Sequence, residues 1–243
     1  MTISQNLIYL GRQAKITSSL IVINIAWFFI SRLCDSRSFV DSLKNLFLVD
    51  WGADVSQLTF SGQYWRMFTS LFMHVSLSHL LMNMIALWSV GIILEKRLPK
   101  FAFIGIYFLS GLISNLVSDI ANLDRTVISC GASGAILGII TALLAYSLVN
   151  RANLKEMPIN AIIISLVLTA GLGLLPGINN MAHLGGAVAG FGLGLVVSLL
   201  IKWFGYSSKF TVLFICLLFI VTIWCIYMGY VHYELPDNLK YHY

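Results

Sequence analysis

The chain has 243 residues, of which 58% are hydrophobic and only 10% charged, with a formal net charge of +5. An ordinary soluble domain carries about 25% charged residues, so this composition excludes a water-covered surface and leaves the lipid bilayer as solvent. The basic excess comes without a basic-aromatic stripe, which excludes a nucleic-acid footprint.

A membrane-crossing helix needs about 20 mainly apolar residues, and seven such spans are predicted at roughly 16–33, 68–94, 101–119, 128–149, 158–175, 181–203 and 210–231. The first lies between Lys15 and Arg32. It follows a mixed leading segment and lacks a small-residue cleavage site, so it reads as a retained helix. From Leu33 to Tyr64 runs a loop of about 30 residues, longer than a connector needs. It ends in Ser61-Gly62-Gln63-Tyr64-Trp65-Arg66. Such a loop is expected to fold onto the membrane, with Trp65 and Arg66 as aromatic and snorkelling anchors at the interface.

The second span carries His74, His79 and Asn83 in its outer half. His79 and Asn83, four apart, share one helix face and point to a common partner; an inter-helix hydrogen bond also accounts for them. His74 points elsewhere and reads as interfacial. The fourth span opens with Cys130-Gly131-Ala132-Ser133-Gly134-Ala135. Flanking glycines leave the Ser133 hydroxyl uncrowded, although small-residue runs also serve helix packing. The uncharged stretch Met157–Ile201 is two spans, divided at Pro176-Gly177-Ile178-Asn179-Asn180. In the second of them Gly186, Gly190 and Gly194 recur every four residues, a ridge on which another helix can approach to backbone contact. His183 lies on roughly that face.

Lys and Arg in the short loops set the orientation. With the N-terminus inside, the inner segments hold Arg12, Lys15, Lys96, Arg97, Lys100, Arg151, Lys155, Lys202 and Lys209 against Glu95 and Glu156 alone. The C-terminus is then outside, and Ser133, His183 and His79 all fall in the outer halves of their helices. A Ser and a His brought together form a nucleophile–base pair, and further donors can hold an oxyanion. Acyl transfer, above all peptide-bond hydrolysis, is the chemistry that fits. No His-Glu-x-x-His helix, no paired aspartates and no embedded carboxylates lie in the spans, which argues against a zinc protease, an aspartyl protease and an ion-coupled transporter. Cys34, Cys130, Cys216 and Cys225 have no metal-ligand spacing and read as small apolar fillers. Neither a cofactor nor a metal is expected.

At these residues the sequence resembles the rhomboid family of intramembrane serine proteases. The resemblance rests on Gly131-Ala132-Ser133-Gly134, Ala182-His183-Leu184-Gly185-Gly186-Ala187, His79-Leu80-Leu81-Met82-Asn83, Ser61-Gly62-Gln63-Tyr64-Trp65-Arg66 and Glu95-Lys96-Arg97, in the family's order. It implies a catalytic dyad of Ser133 and His183 without a third acid. The oxyanion would be held by His79, Asn83 and the Ser133 N–H, with Gly131 beside them. Gly186 and Gly190 would let the fourth and sixth helices pack closely. Trp65 with Arg66, and Glu95 with Arg97, would be structural pairs. Leu137 stands where some members carry an aromatic residue that stacks on the His.

The expected fold is an all-α integral membrane protein, a rhomboid-like six-helix bundle over 16–205 plus an additional C-terminal transmembrane helix and tail over 206–243, N-in and C-out. The expected partners are transmembrane protein substrates and the lipid bilayer. The expected location is a bacterial inner membrane, with the active site opening outward. A non-catalytic relative that binds membrane helices is the alternative; retention of both Ser133 and His183 argues against it.

Overall fold

A computed structural model describes residues 14–150, 159–170, 179–206 and 209–232. Among these residues the chain is helical, with one isolated antiparallel bridge, Asp54–Ser129, and no strand. Helix α1 spans Lys15–Cys34. The first loop then carries short helices α2 (Lys44–Asp50), α3 (Ser56–Phe60) and α4 (Arg66–Thr69). The bundle continues with α5 (Leu77–Glu95), α6 (Lys100–Ala121), α7 (Ser133–Val149), α8 (Ile159–Ala170), α9 (Asn180–Phe204) and α10 (Lys209–His232).

Helices α1, α5, α6, α9 and α10 are long and apolar enough to cross a membrane, and α7 is an apolar helix of 17 residues. The protein is an all-helical, multi-pass membrane protein. The turn expected at Pro176–Asn180 lies outside the described residues except for Asn179 and Asn180. The second span starts later than its hydropathy indicates. Ser76 caps α5 by accepting the His79 N–H at 3.2 Å, so the helix begins at Leu77 and residues 66–76 belong to the loop.

Helix α7 is the centre. Ala135, Ile136, Ile139, Ile140, Ala142 and Leu143 are all buried around it, as expected of a helix apolar on every side. Helices α5, α6, α8 and α9 surround it. On α9 the glycine ridge meets α7 directly: a Cβ on Gly186 would land on the Gly134 backbone, one on Gly190 on Gly138, and one on Gly194 on Ala142. Thr141 Oγ1 adds a hydrogen bond from α7 to the Ala187 carbonyl at 2.8 Å. Helix α10 packs on α6, where Ile215 fills the space left by Gly105, and also reaches α3 of the loop.

At the opposite end from Ser133, Glu95 is buried and accepts from Ile16 N (3.0 Å), Thr17 N (2.8 Å) and Thr17 Oγ1 (2.7 Å). It satisfies the free N–H groups that open α1 and meets the positive end of that helix dipole. Glu95 and Arg97 are therefore not joined as an ion pair: Arg97 donates to the Ile93 carbonyl at 3.0 Å. Arg66 also departs from the sequence expectation. It is buried rather than snorkelling, and its guanidinium donates to the Val49 and Ala53 carbonyls and to Gln63 Oε1. Its planar fork suits this role, because one cation can close several loop carbonyls at once. Trp65 lies 4.6 Å over the Arg66 guanidinium and stays half exposed.

The loop also brings together two acids that the sequence separates. Asp54 is fully buried, accepts from Thr59 Oγ1, and faces Asp119 at the outer end of α6. As carboxylates, neither Asp54 Oδ2 nor Asp119 Oδ2 has a donor among the described residues. A proton held between them satisfies both oxygens. Burial pushes the Asp54 carboxyl above the ordinary aspartate range, against the Thr59 hydrogen bond and the Arg66 charge.

Two expected outcomes follow from this packing. Gly190→Ala puts a methyl against the α7 backbone, and overpacking of that kind costs about 1–3 kcal/mol. Gly192→Ala on the open side of α9, where a Cβ meets nothing within 4 Å, leaves the melting temperature in detergent unchanged or higher. Equal melting of the two variants would contradict the contact. Burial makes the folded Asp54–Asp119 pair bind protons more tightly than the unfolded chain does, so stability fully present below the ordinary aspartate range is lost as pH rises above it. Asn at position 54 can accept from Thr59 and donate to Asp119 without titrating. Asp54→Asn should flatten the decline of melting temperature with pH, and an unaltered decline would place the titrating group elsewhere.

Candidate active site

Ser133 is the first residue of α7, and Ala132 before it offers no side-chain cap. Among the described residues the opening N–H groups of the helix have no side-chain cap, and they form a positive, donor-rich terminus. Gly131 makes the approach possible. Its φ of +129° lies in the region that favours glycine, and a Cβ there would sit 2.7 Å from His79 Cε1. The Gly131 N–H is anchored to the Ser70 carbonyl at 2.9 Å.

His183 sits one turn into α9, across from Ser133. Ser133 Oγ lies 2.9 Å from His183 Nε2. With the imidazole neutral and its proton on Nδ1, the hydroxyl is the donor and Nε2 the acceptor. Among the described residues no carboxylate hydrogen-bonds to this ring. The backbone contact of α7 with α9 sets the separation, and Ser114 Oγ on α6 donates to the Ala182 carbonyl at 2.7 Å.

Ser133, His183, His79 and Gly131 line one cavity of about 370 Å³. Its wall is polar for so apolar a protein: Ser76, Ser78, Ser114, Asn115, Ser129, Thr169 and Asn179 all face it. A cavity this roomy, with several hydrogen-bonding groups, is of a kind that holds water. His79 reaches it from the first turn of α5. Behind His79 lies His74, which is buried and not interfacial; the ring centroids are 5.1 Å apart and edge-on. Arg32 pins this corner by donating to the His74 carbonyl at 2.8 Å.

Asn83 is placed differently from His79. It is buried, does not line the cavity, and gives an N–H to the His79 carbonyl at 2.9 Å. Leu137, one turn beyond Ser133, lies in the apolar core. Cys130 lines the cavity, whereas Cys34, Cys216 and Cys225 are exposed on the bundle surface.

Sequence reasoning missed the polar support beneath the site. Asn115 Nδ2 donates to the Met67 carbonyl (2.7 Å) and to Ser70 Oγ (2.8 Å), tying the first loop to α6. Asn179, Ser118 and Ser129 form a second cluster. A signal was available, because Ser110, Ser114 and Ser118 recur every four residues along an otherwise apolar span.

Comparison with known proteins agrees with this architecture. The family model for the Rhomboid domain matches residues 61–200, more than half of the chain. RHOMBOID-like protein 1 of Arabidopsis thaliana is 38% identical over 173 residues, covering 68% of this chain and 43% of that protein. Rhomboid protease GluP of Bacillus subtilis is 34% identical over 145 residues, covering 59% of this chain and 28% of that protein. Rhomboid protease AarA of Providencia stuartii is 33% identical over 198 residues, covering 72% of this chain and 69% of that protein. The chain spans less than half the length of the first two relatives. A match over most of the helical core, together with the shared extent of AarA, identifies the protein: it belongs to the rhomboid family.

Proposed function

We propose that this chain is an intramembrane serine endopeptidase that cleaves transmembrane protein substrates through Ser133 and His183. The observation that carries the reading is the 2.9 Å approach of Ser133 Oγ to His183 Nε2 at the wall of a polar cavity. Ser133 Oγ attacks the scissile carbonyl while His183 Nε2 takes its proton and then delivers it to the leaving amine. Water from the cavity hydrolyses the acyl-enzyme by the same proton path in reverse.

The tetrahedral oxyanion forms beside the opening turn of α7. There the Ser133 N–H and the helix dipole favour negative charge, and His79 stands across Gly131 as a side-chain donor. Asn83 acts from one turn further along α5, with one N–H already given to His79. Its share of the oxyanion hole is accordingly the smaller. Residues 16–205 form the protease core and 206–243 an additional helix and tail. The loop charges favour an inside N-terminus, and the cavity then opens to the outer side of a bacterial inner membrane.

Labelling of purified protein with a fluorophosphonate probe tests the dyad, beside cleavage of a transmembrane substrate. Ser133→Ala and His183→Ala should each abolish both signals while the melting temperature stays near that of wild type. Turnover persisting in either folded variant would overturn the assignment. A folded wild type that neither labels nor cleaves would return the chain to the helix-binding reading. Asn83→Ala should lower kcat by less than the roughly 10²–10³-fold that loss of an oxyanion donor costs in a soluble protease. An unchanged kcat would leave Asn83 with packing alone.

A further inference from the structure

Asn179 occupies the N-cap of α9, one helical turn before His183, and its Oδ1 accepts the Ala182 N–H at 3.2 Å. That half of the side chain is ordinary capping. The other half is not. One Nδ2–H donates to Ser129 Oγ at 2.7 Å and the other to Ser118 Oγ, while the two serine oxygens lie 3.3 Å apart. Both serines are buried. Ser118 belongs to α6, and Ser129 lies four residues before Ser133 on the segment that leads into α7.

The Ser129 backbone is itself held, its N–H and carbonyl both paired with Asp54 at 2.8 Å. One amide therefore joins the entry of the helix that carries His183 to the entry of the segment that carries Ser133. Each connection is one turn or four residues long, too short to absorb movement elsewhere. A capping Ser would serve the α9 terminus equally well, but it could not reach both serines.

We propose that Asn179 is a positioning residue of the reaction, clamping the first turn of α9 to Ser129 and Ser118 so that His183 stays within proton-transfer distance of Ser133. This role rests on the proposed protease reading. Asn179 touches neither Ser133 nor the His183 ring; it acts through the backbone at both ends.

The test compares wild type, Ser133→Ala, Asn179→Ser and the Ser118→Ala/Ser129→Ala double variant of the full chain in detergent. For each, kcat and KM on a transmembrane substrate, fluorophosphonate labelling rate and melting temperature are measured. Asn179→Ser keeps the cap and loses the clamp. It should lower kcat and labelling rate at least about tenfold, toward the 10²-fold that about 1 Å of misplacement can cost. KM should stay within about twofold of wild type, because Asn179→Ser keeps a polar group on the cavity wall and the loss falls on the alignment of the dyad. The double serine variant should reproduce the loss, and adding Asn179→Ser to it should lower kcat by less than about twofold more, because all three groups act as one unit.

A kcat for Asn179→Ser within about twofold of wild type overturns the proposal. So does a loss that tracks a fall in melting temperature, which would make Asn179 a stabilising residue only. A wild type as inert as Ser133→Ala overturns instead the protease reading of Ser133 and His183, and this role falls with it.

Discussion

Three contacts between two helices govern where the other parts of this protein can sit. Gly186 rests on Gly134, Gly190 on Gly138 and Gly194 on Ala142, so α9 and α7 touch backbone to backbone over about two turns. In lipid the apolar side chains gain little by leaving one hydrocarbon surface for another. Close packing of small residues is therefore what selects a particular helix pair. A single intruding methyl would push the helices apart along their whole seam, because backbone cannot rotate away as a side chain can. The Ser133–His183 distance is read off the end of this seam.

Around the seam, three charged side chains bond to backbone groups, and none of them forms a close ion pair among the described residues. Glu95 closes the opening N–H groups of α1, and Arg66 and Arg32 close carbonyls of the first loop and of the residues before α5. A loop folded against a membrane bundle carries backbone groups that neither lipid nor a helix can satisfy. An ion is an efficient partner for several of them, since its hydrogen bonds are stronger than neutral ones. The aspartate pair under the loop obeys the same rule by other means, with a shared proton in place of a donor. The first loop is thereby built as part of the bundle, and it walls a polar cavity inside an apolar protein.

On the proposed protease reading, the cavity reconciles two demands that a hydrolase in a membrane faces. The proposed nucleophile, Ser133, lies within hydrogen-bond reach of His183 and calls for no buried third charge. A ring of serine, threonine and asparagine side chains from several helices gives that cavity a lining suited to water. Gly131 links the two functions, because the same missing Cβ that permits the turn into α7 also admits the His79 ring.

Much of this was legible in the chain itself. Hydropathy and charge placement require a multi-pass membrane protein, because a water-facing surface cannot be made from these residues. The spacing of Gly186, Gly190 and Gly194 marks a close-packed helix face, and the motifs around Ser133 and His183 carry the family resemblance. Those features depend on local order, on residues three and four apart on one helix. What tertiary structure decided is long-range. Which helix meets the ridge, that Arg66 and Glu95 cap backbone, that Asp54 meets Asp119, and that His74 meets His79 edge-on all depend on packing that hydropathy does not encode. Asn83 illustrates the limit: its shared face with His79 was plain, but only the folded chain shows its amide committed to the His79 carbonyl. Composition and periodicity report the solvent and the local period, whereas hydrogen-bond partners across 40 to 80 residues of chain are chosen by packing alone.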